Sequence, residues 1–152
     1  MSARSAPRHA RRALRPGDEG STVVEVVVLA PALALLIGLI IAGGRLAVAH
    51  QAVESSAAAA ARAASITRTQ AGAEDAAHDA AVASLDAQNL TCRATTITLD
   101  VAGFAAPVGT PASVSATVTC QVDLADTVPG LPGTLTVTST MASPIDTYRE
   151  RR

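Results

Sequence analysis

Ser, Thr and Asp, which could carry acid–base or nucleophilic chemistry, are abundant in this chain but form no catalytic constellation. His78 has Asp75 and Asp79 near it, but such spacing on an alanine-rich helix is more typical of a solvated face than of a metal site. The sequence has no GxSxG elbow, no HExxH motif and no glycine-rich phosphate loop. With one Phe, one Tyr and no Trp, a deep small-molecule pocket is not expected either. We therefore expect no enzymatic activity, no metal and no cofactor.

One carboxylate stands at the start of the most apolar part of the chain. Glu25 follows Gly20 by five residues, and residues 26–44 then carry no charge before Arg45. At about 1.5 Å of rise per residue, a helix over this run spans about 28 Å, close to the hydrocarbon core of a bilayer. An ionised group costs about 2.5 kcal/mol or more at the centre of a membrane helix, and less near the interface. Glu25 is therefore interpreted as a functional residue on a single transmembrane helix.

The first 20 residues differ from the rest of the chain in composition. They hold five arginines together with Ser, Ala, Pro and Gly, without an apolar period, which predicts a disordered leader over 1–20. Positive charge beside a transmembrane helix stays in the cytoplasm, so we expect the amino terminus inside and the remainder outside. The alternatives for these arginines are nucleic-acid or lipid-headgroup binding. Because no aromatic residue interleaves them and the net charge is only −1, we expect a bilayer and no nucleic acid as partner.

Two features within the apolar run bear on how it packs. Small residues recur at every fourth position, which places them on one face of a helix and predicts close packing against another helix. These are Ala30, Ala34, Gly38 and Ala42. The alternative is accidental spacing in an alanine-rich chain. Pro31 cannot donate a hydrogen bond to the carbonyl of Val27, so we expect a helix bend there.

Helical composition continues beyond the apolar run. Alanine is the best helix former, and the alanine-rich stretch after Arg45 extends the predicted first helix over 21–66. A break follows at 67–72. A second helix is predicted over 73–88, with Glu74 and Asp75 in its first turn, where the helix dipole favours acidic residues.

From residue 95 the hydrophobic period changes from helical to two. Alternation predicts three strands, over about 95–101, 113–123 and 135–141, separated by Gly- and Pro-containing turns. Each strand has one apolar face, which predicts an antiparallel sheet whose other face meets water. The expected fold is thus α+β and membrane-anchored, with a small domain over 73–148 that lies outside the cytoplasm.

The two cysteines flank the first predicted strand. Cys92 precedes that strand, and Cys120 lies on the apolar face of the second. Outside the cytoplasm they are expected to form a disulfide, which would contribute about 3–4 kcal/mol in the chain-entropy model. The alternative is two buried free thiols. Their spacing matches neither a CxxC redox site nor a zinc ligand set.

In this order, these features resemble those of the TadE-like family, minor pilins that are accessory to Tad (Flp-type) pili. The resemblance covers roughly residues 17–66: Gly20, the glutamate five residues on, Pro31 early in the span, and Gly44-Arg45 at its end, followed by a run of alanine and arginine. Two positions depart from the family pattern. Val26 stands where members often have Phe, and Gly43 stands where an acidic residue is usual.

The resemblance implies a structural role in a Tad-type pilus or a related secretion or adherence apparatus. A prepilin peptidase would remove the leader after Gly20, which makes Ser21 the new amino terminus. Glu25 would then compensate the amine of Ser21, in its own chain or in a neighbouring subunit. The implied partners are the prepilin peptidase, other pilin-like subunits and the Tad assembly platform.

Three other interpretations are open at this point. The chain could be a single-pass membrane protein that is never processed. It could be a secreted domain, because Ala47-Val48-Ala49 provides an A-x-A-like site for cleavage after Ala49. Arg45 just upstream and the length of the apolar run count against that cleavage. It could also be a membrane-anchored enzyme, for which the sequence shows no catalytic group.

Overall fold

The elements of the chain are those of an α+β protein with a long amino-terminal helix. The computed structural model describes residues 19–127 and 132–148. The elements are helices α1 (Glu19–Ser65), α2 (Gln70–Ala87) and α3 (Leu124–Thr127), strands β1 (Ala94–Asp100), β2 (Ala112–Asp123) and β3 (Thr134–Ile145), and a 3-10 turn over Ala102–Ala105. The predicted long helix, second helix and three-stranded antiparallel sheet are confirmed. The leader up to residue 18, including His9, lies outside the described residues.

The chain divides into two compact units, residues 1–38 and 39–152. The described part of the first unit, residues 19–38, is helical throughout, and the large apolar side chains of residues 26–38 are exposed, with Leu35 at 76%. Among the described residues, one helical stretch, Val26–Ser65, is by length and composition long and apolar enough to cross a membrane. The exposed leucines of the first unit would be solvated by lipid or covered by another chain.

In the second unit, the last part of α1 and α2 form an antiparallel helix pair. The Ser56 hydroxyl donates a buried hydrogen bond of 3.0 Å to the carbonyl of Ala81, and the Gln88 amide reaches the carbonyl of Ala52 at 3.4 Å. A side chain as short as serine reaches a backbone carbonyl of the facing helix only if the two backbones lie close together. The helices meet through buried alanines, here called the alanine seam: Ala49, Ala52, Ala57, Ala60, Ala61, Ala64, Ala73, Ala77 and Ala81.

The sheet covers this helix pair with its apolar face. Strand order is β1-β2-β3, and the inward side chains of β2 are buried: Val114, Ala116, Val118, Cys120 and Val122. They form one core cluster with Val53 of α1, Leu85 of α2 and the alanine seam. The Ser143 hydroxyl donates to the Ser65 hydroxyl at 3.0 Å, which links β3 to the end of α1.

Helix α2 begins three residues earlier than predicted. Thr69 is its N-cap, and the Thr69 hydroxyl accepts a hydrogen bond of 3.1 Å from the backbone N–H of Gly72. Such a cap satisfies a helix-terminal N–H that would otherwise lack a partner. Glu74 and Asp75 consequently lie in the second turn, and the prediction that they occupy the first turn is wrong.

The sequence-based expectation lacked the short helix α3, the 3-10 turn and the last residues of β3. The 3-10 turn that follows β1 buries Phe104 against the core, and it comes so close to β2 that a Cβ at position 103 would clash with the Ser113 carbonyl. Glycine at Gly103 is therefore required by close approach. Strand β3 also continues to Ile145, beyond the predicted end at Met141, and pairs there with Ala112.

The alanine seam predicts that enlarging one of its residues destabilises the domain. Ala81→Leu adds volume at a fully buried position where two backbones meet, and overpacking of this kind typically costs about 1–3 kcal/mol. Ala83→Leu, on the exposed side of the same helix, is the matched control. Pulse proteolysis in urea of the full-length chain in detergent measures both. Equal midpoints for the two variants would contradict the described helix packing.

Candidate functional site

The residues predicted to govern processing and assembly lie at the start of α1. Gly20, Ser21 and Glu25 all fall within the first two turns of this helix. Positions 21 and 25 are four residues apart, so they occupy the same face, one turn from each other. A chain beginning at Ser21 would carry a terminal amine, which is largely protonated at neutral pH. The roles of these three residues stay predictions.

The predicted small-residue stripe is open to another chain. Ala30, Ala34 and Gly38 are exposed, and a Cβ at Gly38 would meet no atom within 4 Å. Ala42 is half-buried. Pro31 lies inside α1, where the expected bend stays a prediction, as does the role of the stripe in helix packing.

The predicted disulfide is confirmed. Cys92 and Cys120 are bonded, with their Cα atoms 5.4 Å apart, and Cys120 is fully buried on the inward face of β2. The bond closes a loop that contains all of β1 and the 3-10 turn. It therefore ties the connection between α2 and β1 to the central strand of the sheet.

A helix-terminating motif brings Cys92 to the sheet. At the end of α2, the N–H of Leu90 bonds to the Leu85 carbonyl at 3.1 Å, and the N–H of Asn89 bonds to the Asp86 carbonyl at 3.0 Å. Asn89 has a φ of 54°, in the left-handed region that ends many helices. Asn is one of the residues that tolerate this conformation, so Asn89 after an alanine-rich stretch was the sequence signal for the end of α2.

The histidine considered as a possible metal ligand lies on a solvated surface. The His78 side chain is 67% exposed, and its Nδ1 atom is 3.9 Å from a carboxylate oxygen of Asp79, which is 89% exposed. Asp75, the other acid near His78 in sequence, joins Glu74 and His78 in lining an open groove beside β1. Within residues 19–127 and 132–148, no group of three or more His, Cys, Asp or Glu side chains could hold a metal ion.

The predicted processing and assembly residues lie within a longer segment, residues 20–62, which has a counterpart among known families. In the structure it is one helix, which is exposed and apolar over residues 26–41 and alanine-rich with a buried face at its end. Residues 20–62 match the family model described as TadE-like protein. The predicted resemblance to the TadE-like family is therefore confirmed over this TadE-like segment.

The TadE-like segment covers less than half of the chain and lies entirely within α1. It includes Gly20, Glu25, Pro31 and Gly44-Arg45, the positions on which the predicted resemblance rests. Helix α2, the sheet and the disulfide lie outside the matched residues. No curated protein and no solved structure matches the chain significantly.

Removal of the disulfide is expected to destabilise the domain. Cys92 and Cys120 are 28 residues apart, and in the chain-entropy model a loop of this length contributes about 3–4 kcal/mol. The double variant Cys92→Ser/Cys120→Ser should therefore unfold at a clearly lower urea concentration in pulse proteolysis. Reducing agent should lower the midpoint of the wild type toward that of the variant and leave the variant unchanged. A wild-type midpoint in the double variant would contradict the expectation.

Proposed function

We propose that this protein is a pilin-like minor structural component of a Tad-type (Flp) pilus or a related secretion or adherence apparatus. The observation that carries the proposal is the TadE-like match on a single helix, α1, which contains Gly20 and Glu25 near its start and exposes an apolar surface over residues 26–41. A small disulfide-tied domain follows that helix along the chain. This architecture presents surfaces for subunits and for lipid, and supports a structural role.

The first step of the proposed mechanism is removal of the leader. The arginine-rich leader holds the amino terminus in the cytoplasm, and a prepilin peptidase cuts the peptide bond between Gly20 and Ser21. The domain that follows α1 then lies outside the cytoplasm, where the Cys92–Cys120 bond can form and persist. The disulfide supports this orientation.

The second step is assembly through α1. Ser21 and Glu25 occupy one face of the first turns, so the new terminal amine and the carboxylate can compensate each other within a chain or between neighbouring chains. An unpaired carboxylate is costly in lipid, and the pair with a neighbour would fix the register of adjacent helices. The exposed stripe of Ala30, Ala34 and Gly38 then allows those helices to approach closely.

The third step is contact by the domain outside the membrane. It would meet other pilin-like subunits, the Tad assembly platform or the surface to which the pilus adheres.

The alternative of a secreted domain cut after Ala49 is less well supported. Ala49 is 6% exposed and belongs to the alanine seam in the interior of α1. The TadE-like segment also runs through this position without a break. The unprocessed single-pass alternative is distinguished by the amino terminus of the protein in its native membrane.

Processing is tested by the amino-terminal sequence and intact mass of the protein purified from native-host membranes. We expect a chain that starts at Ser21. Gly20→Val should block the cut because the enlarged side chain precedes the scissile bond, whereas Gly17→Val, the matched control, should be cut normally. A wild-type start at Met1 or Ser2 would favour the unprocessed protein, and a start at His50 would favour the secreted domain.

The assembly role of the carboxylate is tested by Glu25→Gln, which keeps the size of the side chain and removes its charge. We expect normal cleavage and a loss of most incorporation, measured as the ratio of the protein in sheared pili to that in membranes. Glu54→Gln, an exposed glutamate farther along α1, is the control and should incorporate normally. Wild-type incorporation of Glu25→Gln would remove the proposed role while leaving processing intact.

A further inference from the structure

An open groove lies between α2 and β1, beside the first half of the helix. One wall is apolar and consists of Ile97 and Leu99 of β1, which are both half-buried. The other wall consists of Glu74, Asp75 and His78 of α2. The groove has a volume of about 330 Å³, at the small end of the range for ligand pockets. In the described part of the chain it is open, so two large apolar side chains stay partly in contact with water.

Helix α2 gives this groove a negative rim. Four residues of the helix are acidic, and none is Arg or Lys. Asp75 and Asp79 are four residues apart, a spacing at which like charges on a helix repel each other. A cationic segment would relieve this repulsion, and the apolar wall beside it would be covered by an apolar or aromatic side chain. The groove therefore fits a segment that combines arginine with one large apolar residue.

The segment over residues 148–152 has this combination. Tyr148 is 86% exposed, whereas Phe104, the other aromatic residue of the chain, is buried in the core. The residues that follow Tyr148, which lie outside the described ranges, are Arg-Glu-Arg-Arg. Tyrosine and arginine are among the residues that most often dominate the binding free energy of protein interfaces. The exposed ring matches the apolar wall of the groove, and the arginines match its acidic rim.

Within one chain, Tyr148 and the groove are at opposite edges of the sheet. Strands β1 and β3 are the two edges, and β2 lies between them. The N–H of Tyr148 donates a hydrogen bond of 3.0 Å to the carboxylate of Asp146, and the carbonyl of Thr147 accepts one of 2.9 Å from the N–H of Gly109. These bonds hold Tyr148 at the end of β3, so the groove that it can enter is that of a neighbouring copy.

We propose that segment 148–152 of one copy docks into the α2–β1 groove of a second copy, with Tyr148 against Ile97 and Leu99. Because the contact joins opposite edges of the domain, it needs a sideways shift and no two-fold rotation. The two copies therefore keep α1 pointing the same way, as anchoring in one membrane requires. A contact between two different surfaces also leaves one segment and one groove unfilled at the ends of a row, so further copies can add. The setting of this inference rests on the proposed function.

The contact is expected to be weak between isolated chains. Ion pairs at an exposed surface contribute little each, and one aromatic side chain with a short segment buries less area than a stable complex needs. Copies confined to one membrane meet at a higher effective concentration, which strengthens a weak contact without changing it. The test is therefore made in membranes, with detergent-solubilised protein as a comparison.

Cross-linking of two differently tagged full-length copies in native-host membranes tests the proposal. One copy carries His78→Cys in the groove, the other carries Arg149→Cys, and a short bismaleimide joins thiols that lie close together. The native disulfide does not react with maleimide. Ala83→Cys, exposed on the same helix but outside the groove, is the matched control for His78→Cys. We expect at least about tenfold more cross-linked heterodimer from the groove position than from the control.

Charge reversal tests whether the two surfaces themselves cause the association. Glu74→Arg/Asp75→Arg in the groove copy should lower the heterodimer yield to that of the control, because like charges then meet. Arg151→Glu/Arg152→Glu in the other copy should do the same. The two reversed copies together should cross-link again. Glu54→Arg, at an exposed glutamate of α1, should leave the yield unchanged.

The aromatic contact is tested by two substitutions of one residue. Tyr148→Ala removes the ring that covers the apolar wall and should lower the heterodimer yield about tenfold. Tyr148→Phe keeps the ring and should cross-link like the wild type. Val108→Ala shortens another exposed apolar side chain and is the matched control. An intact Cys92–Cys120 bond and protease resistance establish that each variant is folded.

Several results would overturn the proposal. Equal yields from His78→Cys and Ala83→Cys would indicate association through another surface, such as the apolar helix. Reversed copies that fail to cross-link together would show that the two surfaces do not meet. Cross-linking within one chain that carries both cysteines, without dimer, would show that the segment occupies its own groove. None of these results depends on cleavage after Gly20 or on Glu25, so each is distinguishable from failure of the proposed function.

Discussion

The close approach of α1 and α2 along the alanine seam is the constraint on which the rest of the domain depends. The hydrogen bond from Ser56 to the Ala81 carbonyl forms only while the two backbones stay near each other. The paired helices then present Val53 and Leu85 toward the inward residues of the sheet as one layer. Because alanines bury little area each, stability is spread over many small contacts, and the disulfide supplies an unusually large share of it.

Hydrophobic period and composition were sufficient to predict the two helices, the three strands and the disulfide, because each depends on local pattern or on two unique residues. Details set by tertiary contact were not predictable. Strand β3 passes through Pro144, which is tolerated because the missing N–H of an edge strand can face away from the ladder. The edge position of β3 follows from strand order, which the alternation of side chains does not specify. The Thr69 cap was overlooked although Thr is a common N-cap.

The predicted site differs in kind from the polar contacts that the structure reveals. Glu25 is conspicuous in sequence because a charge beside an apolar run needs an explanation, and the role proposed for it involves a neighbouring chain. Ser56 is the reverse case. In sequence it is one serine among many alanines, and only the facing carbonyl of Ala81 makes it a buried hydrogen-bond donor. Sequence thus highlights a charge in an apolar context, whereas a buried hydrogen bond between two helices is recognised only in the folded structure.

The disulfide also determines how the chain would respond to mechanical load. In the proposed pilus, load would act between the anchoring helix and the partner that the domain contacts. The bond joins residues 28 positions apart, so the stretch from Cys92 to Cys120 cannot be drawn out while it is intact. Fully extended, that stretch would add about 95 Å of length. The disulfide prevents this gain in length. It confines forced extension to the helix pair on one side and β3 on the other.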